Sequence, residues 1–124
     1  MRTRAAAAVG WVVALLASAA VSAHHSFAMF ESEKQIELAG VIRDFHWTNP
    51  HSWIFLNVKD VKGQTVEWKI EGGSPNLLKR DGWTRRSLIP GQPVTVRIRP
   101  AKDGTSYGSL VRVTLADGTQ LGSR

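Results

Sequence analysis

The side chains best suited to chemistry in this sequence are its four histidines, which all lie in the first half of the chain. Two are adjacent, His24 and His25, and two flank a short segment, His46 and His51. The chain has no cysteine, which excludes thiolate metal sites, disulfide bonds, iron–sulfur clusters and a cysteine nucleophile. Any metal site must therefore use histidine, carboxylate or backbone groups, and imidazole suits copper and zinc.

The start of the chain has the composition of an export signal. Arg2 and Arg4 precede an uncharged run at 5–20, and the small residues of Val21-Ser22-Ala23 follow it. A positive start, an apolar middle and an A-x-A-like end predict a secretory signal peptide that is cleaved after Ala23.

This signal sets the expected domain organisation and location. We expect residues 1–23 to be a cleavable signal peptide and residues 24–124 to form one domain in the periplasm. The alternative is a membrane anchor that is retained, although residues 5–23 are barely long enough to span a bilayer. Membrane contact is then expected only during export, unless the signal is kept.

Cleavage after Ala23 would give His24 a chemistry that no internal histidine has. Its α-amine and its imidazole Nδ1 can bind one ion together, and an imidazole from a second histidine completes a T-shaped set of three nitrogens, the histidine brace. Cu(II) favours such tetragonal nitrogen ligation, and it can displace the proton of an α-amine whose pKa is near ~8. His25 offers another mode, through its imidazole and a deprotonated backbone amide. We expect copper, with zinc as the alternative.

The third ligand can come from the segment Trp47-Thr48-Asn49-Pro50, which His46 and His51 flank. If these four residues are the loop of a hairpin, the two histidines become a cross-strand pair with Cβ atoms ~5 Å apart. The alternative for each is an ordinary hydrogen-bonded turn residue. The full candidate metal set is His24, His25, His46 and His51.

A second group of residues is suited to binding without a metal. Four tryptophans follow the signal, and Trp47, in the turn, is the one that we expect to be exposed. Two glycines, Gly72 and Gly73, join a strand to a helix and make a tight connection. The candidate ligand or partner surface consists of Trp47, Asn49, Trp53, Glu71, Ser74 and Asn76. No spacing indicates a Ser–His–Asp arrangement, so no catalytic residue is assigned.

Hydrophobic patterning predicts the elements that position these residues. Alternating apolar and polar residues predict six strands, at 36–45, 52–59, 65–71, 94–99, 108–115 and 119–121. Ser74 and Pro75 predict the N-cap and first residue of a short helix, which Gly82 ends. Gly40, inside the first strand, predicts a bulge or bend.

The order of these elements is typical of one small all-β domain. A helix between strands three and four is the connectivity of an OB-like Greek-key β-barrel of five to six strands. A β-sandwich is the alternative, but its usual helix-free pattern fits less well.

The charge of the chain invites a nucleic-acid function, which its distribution argues against. The formal charge of +6 falls to +4 when Arg2 and Arg4 leave with the signal peptide. The remaining basic residues are scattered, apart from Lys79-Arg80 and Arg85-Arg86. We therefore expect no nucleic-acid partner, and interpret the excess as a solubilising surface.

Several short segments together form a pattern that spans nearly all of residues 24–124. They are His24-His25-Ser26-Phe27, Trp47-Thr48-Asn49-Pro50-His51, Glu71 with Gly73-Ser74-Pro75-Asn76, Gly82-Trp83, Pro90-Gly91, Lys102-Asp103-Gly104 and Leu115-Ala116-Asp117-Gly118. This pattern resembles a bacterial family of small exported proteins, domain-of-unknown-function family 6152. The resemblance implies an exported, periplasmic protein and supplies no activity. His46 often corresponds to an acidic residue in that family, so the resemblance favours His24, His25 and His51 as the shared set.

Three functional hypotheses follow. The first is an exported, non-enzymatic copper-binding protein of the periplasm. The second is a metal-independent interaction module of the periplasm or envelope, whose aromatic barrel face binds a glycan, a peptide or a periplasmic protein. The third is a copper-dependent oxidative enzyme, which ranks last because so small a domain offers little surface for a substrate.

Overall fold

The computed structural model describes residues 28–123, so the predicted signal peptide, His24 and His25 lie outside the described residues. The strands are β1 (Ile36–His46), β2 (Trp53–Lys59), β3 (Thr65–Glu71), β4 (Pro93–Pro100), β5 (Tyr107–Leu115) and β6 (Gln120–Gly122). A short helix, α1 (Pro75–Arg80), lies between β3 and β4. The predicted strands and helix are confirmed, with ends that differ by one residue or by none.

The strands close into a barrel. The sheet has the order β3-β2-β1-β4-β5-β6, and β3 also pairs with β5 in parallel. Strands β1 to β5 therefore form the barrel, and β6 extends the sheet beside β5. This confirms the predicted all-β, OB-like Greek-key architecture with a helix between the third and fourth strands, and the β-sandwich alternative does not apply.

The core lies inside the barrel because each strand alternates apolar and polar residues. In β4, for example, Val94, Val96 and Ile98 are buried while the residues between them face outward. Trp83 is 1% exposed, joins this core, and donates a hydrogen bond from Nε1 to the Gly122 carbonyl at 2.7 Å. Helix α1 and the short strand β6 are thereby fixed to the barrel.

Helix α1 forms where the sequence predicts it. The Ser74 hydroxyl accepts a hydrogen bond from the Leu77 backbone N–H at 3.3 Å, which satisfies a donor that the first turn leaves unpaired. Gly82 follows the helix with a φ of 91°, in the left-handed region that ends many helices. Within residues 28–123, no helix has the length and apolar character needed to cross a bilayer.

The irregularity in β1 does not lie at Gly40, so the predicted bulge there is wrong. The pairing between β1 and β2 is regular at Gly40 and shifts between Ile42 and Asp44. Gly40 has a different purpose, since a Cβ at this position would lie 2.4 Å from the Asn57 carbonyl oxygen. The absent side chain lets β2 approach β1 closely.

Candidate functional site

The connection between β1 and β2 separates two predicted metal ligands. Strand β1 continues to His46, which pairs with Trp53, and the connection therefore runs from Trp47 to Ser52 and includes His51. The prediction that His46 and His51 form a cross-strand pair is wrong, because the loop is longer than the four residues that it assumed. The Asn49–Pro50 peptide bond in this loop is cis.

His46 has partners of its own on the outer face of the barrel. Its Nε2 lies 2.7 Å from Asp44 Oδ2, and its ring centroid lies 4.9 Å from that of Phe55. The hydrogen bond with His46 holds the pKa of Asp44 below its usual value. These contacts match the alternative of a hydrogen-bonded residue, although His46 ends β1 and does not lie in the turn.

His51 is held in a way that leaves one ring nitrogen available. Its Nδ1 lies 3.1 Å from Glu71 Oε1 and 3.3 Å from the Gly72 carbonyl oxygen. Both neighbours are acceptors, so this geometry favours Nδ1 as the nitrogen that carries a proton. In the neutral ring Nε2 then has a free lone pair. Histidines that bind metals commonly donate their other N–H to a carboxylate or backbone carbonyl in this manner.

Glu71 is in turn positioned by β5. The Tyr107 hydroxyl donates a hydrogen bond to Glu71 Oε2 at 2.7 Å. Burial, together with the hydrogen bond and negative charge of Glu71, raises the pKa of Tyr107 well above its ordinary value, so the phenol remains a donor at neutral pH. The Glu71 side chain is only 12% exposed, whereas that of His51 is 41% exposed. The carboxylate is thus largely enclosed between Tyr107 and His51, and the imidazole reaches solvent.

A cleft of about 380 Å³, which we call the His51 cleft, opens beside this group. Its size lies within the range of ligand sites in proteins. Its walls come from the β1–β2 loop, the two glycines that precede α1, the end of β4, the start of β5 and the segment before β1. The side chains that line it include Phe30, His51, Glu71, Leu77, Arg99 and Leu110.

An aromatic surface lies next to the cleft. The Trp53 and Tyr107 rings are stacked, with centroids 6.2 Å apart, and Phe30 lies 5.2 Å from Tyr107. Lys69 places its Nζ 4.3 Å above the Trp53 ring. Trp47, by contrast, is half-buried against the core and contacts Phe45 instead of forming an exposed platform.

The predicted partner surface is therefore divided. Glu71 and Ser74 line the His51 cleft, Trp53 belongs to the aromatic surface, and Asn49 and Asn76 are exposed. Sequence reasoning missed Tyr107, Arg99 and Phe30, which pairing between distant strands brings to the site. Within residues 28–123, no group of three or more histidine or acidic residues is placed to hold a metal ion.

Comparison with known protein families places the chain in one of them. The family of unknown function DUF6152 matches residues 12–110. The chain belongs to this family. The match confirms the resemblance and includes His24, His25 and His51, although the segment at 115–118 lies beyond it. No curated protein and no solved structure matches the chain.

Proposed function

We propose that this protein is exported to the periplasm and binds copper without enzymatic activity, through His24 at the mature N-terminus and His51 on the barrel. The observation that carries the proposal is the contact of His51 Nδ1 with Glu71 and the Gly72 carbonyl. This contact orients the ring and directs a metal to Nε2. His25 provides an alternative mode, and His46 is an accessory that Asp44 already engages.

The segment before β1 starts close to the cleft that contains His51, which favours a site shared by His24 and His51. Backbone hydrogen bonds hold the segment before β1 against the barrel, from Glu31 N to the Pro100 carbonyl and from Lys102 N to the Met29 carbonyl. Phe30, between them, lines the same cleft as His51. An extended chain spans at most ~3.3–3.6 Å per residue, so the six residues that precede Phe30 can reach up to about 20 Å from it.

The available donors favour copper over zinc. The amine and Nδ1 of His24 with Nε2 of His51 supply three nitrogens, the tetragonal set that Cu(II) prefers. Structural zinc sites almost always have four protein ligands in tetrahedral geometry. Glu71 is the acidic residue beside His51; its Oε2 already accepts a hydrogen bond from Tyr107, and its Oε1 lies 3.1 Å from His51 Nδ1. A fourth protein ligand is therefore harder to supply than a third.

The decisive test changes only the N-terminus of the mature protein. Protein that begins at His24, verified by mass, is expected to bind Cu(II) with a nitrogen-rich type 2 EPR signal. Three glycines added before His24 convert its amine into an amide and leave no histidine at the second or third position of the new N-terminus, where backbone amides would help it to chelate Cu(II). This extension should lower the affinity in a competition titration by at least about tenfold. Three glycines added after Arg124 are the matched control. Equal affinity of the two extended proteins would contradict the brace.

A second candidate function is metal-independent binding at the aromatic surface formed by Trp53 and Tyr107, which the buried ring of Phe30 supports from below. The observation that favours it is the stacked pair of Trp53 and Tyr107 on the outer face of the barrel. Rings of this kind bind the apolar faces of sugars, and Lys69 above Trp53 would have to move aside or contact the ligand.

A glycan titration distinguishes this candidate from copper binding. In the presence of EDTA, an N-acetylglucosamine tetrasaccharide is expected to quench tryptophan fluorescence saturably. Trp53→Ala should abolish that binding, whereas Ile89→Ala, at an exposed residue in the loop before β4, should not change it. Saturation that survives Trp53→Ala, or an absence of saturation in the unmodified protein, would exclude this surface as the glycan site.

A further inference from the structure

We propose that the His51 cleft binds a small organic monocarboxylate, whose anionic group pairs with Arg99 and whose apolar part contacts the cleft walls. This inference goes beyond copper binding and does not depend on it. It rests on the shape of the cleft, on one cation to which residues 28–123 supply no acidic partner, and on the apolar residues that surround it.

The pairing of four strands builds the polar part of the cleft. Trp53 pairs with Glu71, Glu71 pairs with Ser109, and Ser109 pairs with Arg99. Residues that pair directly across strands point to the same face of a sheet. Glu71 and Arg99 therefore lie on the outer face with the small side chain of Ser109 between them. Adjacent strands are ~4.8 Å apart, so this arrangement leaves a gap of about 10 Å between the two charged positions.

Arg99 has no acidic partner among residues 28–123. Glu71, the carboxylate in the same row, is engaged by His51 and Tyr107. Arg97, the neighbouring outward cation of β4, differs because it pairs with Glu37 at 2.7 Å. Arg99 is half-buried, and a charge that is partly removed from water favours an opposite charge beside it. The cleft thus offers a cation for an anionic ligand.

The remaining walls select a ligand with an apolar body. Phe30 and Leu110 are nearly fully buried, and Leu77, 51% exposed, stands at the rim. Gly72 lacks a side chain, and a Cβ there would lie 3.5 Å from Leu110 Cδ2, so the glycine leaves Leu110 as part of the wall. A cleft of about 380 Å³ accommodates a ligand with one aromatic ring.

The charges in the row favour a carboxylate over a phosphate. Arginine binds both groups through two parallel hydrogen bonds. Glu71 nevertheless places a negative charge on the same face, and it repels a dianion more strongly than a monoanion. A monocarboxylate with an aromatic or branched apolar group fits the Arg99 cation, the nearby charge of Glu71 and the apolar walls.

The test uses benzoate, metal-free mature protein in EDTA, and ¹H–¹⁵N NMR. Benzoate is expected to shift the amides of Gly72, Gly73 and Ser109 saturably, and Arg99→Gln should weaken binding by at least about tenfold. Arg97→Gln is the matched control, because it removes a cation from the same strand face and should leave the affinity unchanged. Benzyl alcohol, the neutral analogue, should bind at least about tenfold more weakly than benzoate.

Several results would overturn the inference. Amide shifts that do not saturate, or that lie outside the cleft, would exclude benzoate binding at this site. Equal benzoate affinity of Arg99→Gln and the unmodified protein would exclude Arg99 as the partner of the anion. Equal affinity of the unmodified protein for benzyl alcohol and benzoate would exclude recognition of the charge. Inorganic phosphate that binds at these amides more tightly than benzoate would refute the ligand class. Circular dichroism of both variants establishes that they are folded. Because EDTA removes metal, failure here leaves the copper proposal standing, and failure of the copper titration leaves this inference standing.

Discussion

Replacing His51 with alanine is expected to lower the Cu(II) affinity of the protein that begins at His24 by about a hundredfold. The change removes the proposed nitrogen ligand that the barrel supplies. Substitution of a residue that only orients a metal ligand typically lowers the metal affinity by ~10–100-fold, so loss of the ligand itself should lower it at least as much. Competition titration measures the affinity, and EPR should report the loss of one nitrogen from the copper environment.

His46→Ala is the matched control for this prediction. His46 is also an imidazole on the same barrel, but it is hydrogen-bonded to Asp44 and packed on Phe55. Because His46 is an accessory at most, its removal should lower copper affinity far less than the removal of His51. An unchanged affinity in His51→Ala would remove the barrel from the site, and an unchanged affinity in the His24→Ala, His51→Ala double variant would refute copper binding at these histidines.

The elements of this fold could be predicted because each carries a local signal. Strand β3, from Thr65 to Glu71, alternates apolar and polar residues throughout, and its predicted bounds match the structure. Ser74 and Pro75 mark the start of α1 through an N-cap hydroxyl and a proline whose φ suits a helix. Such signals depend on neighbouring residues alone, so a sequence displays them directly.

The geometry of the site could be predicted only in part because it depends on strand register. Glu71 could be selected from its place beside the two glycines, but Tyr107, which bonds it, lies 36 positions later and arrives through the parallel pairing of β3 with β5. The wrong pairing of His46 with His51 has the same origin. The length of that loop is set by where β1 and β2 stop pairing, and no local pattern in 47–52 marks that point.

Replacing Gly40 with alanine is expected to destabilise the barrel strongly. Gly40 lies at the centre of the barrel wall, where β1 pairs with Val58 of β2 on one side and Val94 of β4 on the other. A Cβ would lie 2.4 Å from the Asn57 carbonyl oxygen, which is backbone and cannot rotate away. The pairing of β1 with β2 must therefore shift at this point. We expect a loss of about 2–3 kcal/mol in the free energy of unfolding, measured by urea denaturation.

Gly122→Ala provides the matched control, because the same methyl group there would meet no atom within 4 Å. Its free energy of unfolding should change by less than ~0.5 kcal/mol. If Gly40→Ala were equally benign, β2 would have room to withdraw from β1 without loss.

The effect of Gly40→Ala should extend to binding. His51 precedes β2, whereas Arg99 belongs to β4, and β1 is the strand that joins β2 to β4. A shift of β2 relative to β1 would therefore change the distance between the imidazole and the guanidinium, although Gly40 contacts neither ligand. At temperatures where Gly40→Ala remains folded, its benzoate affinity should fall, while that of Gly122→Ala should not. The close approach at Gly40 is thus a condition for the cleft as well as for the fold.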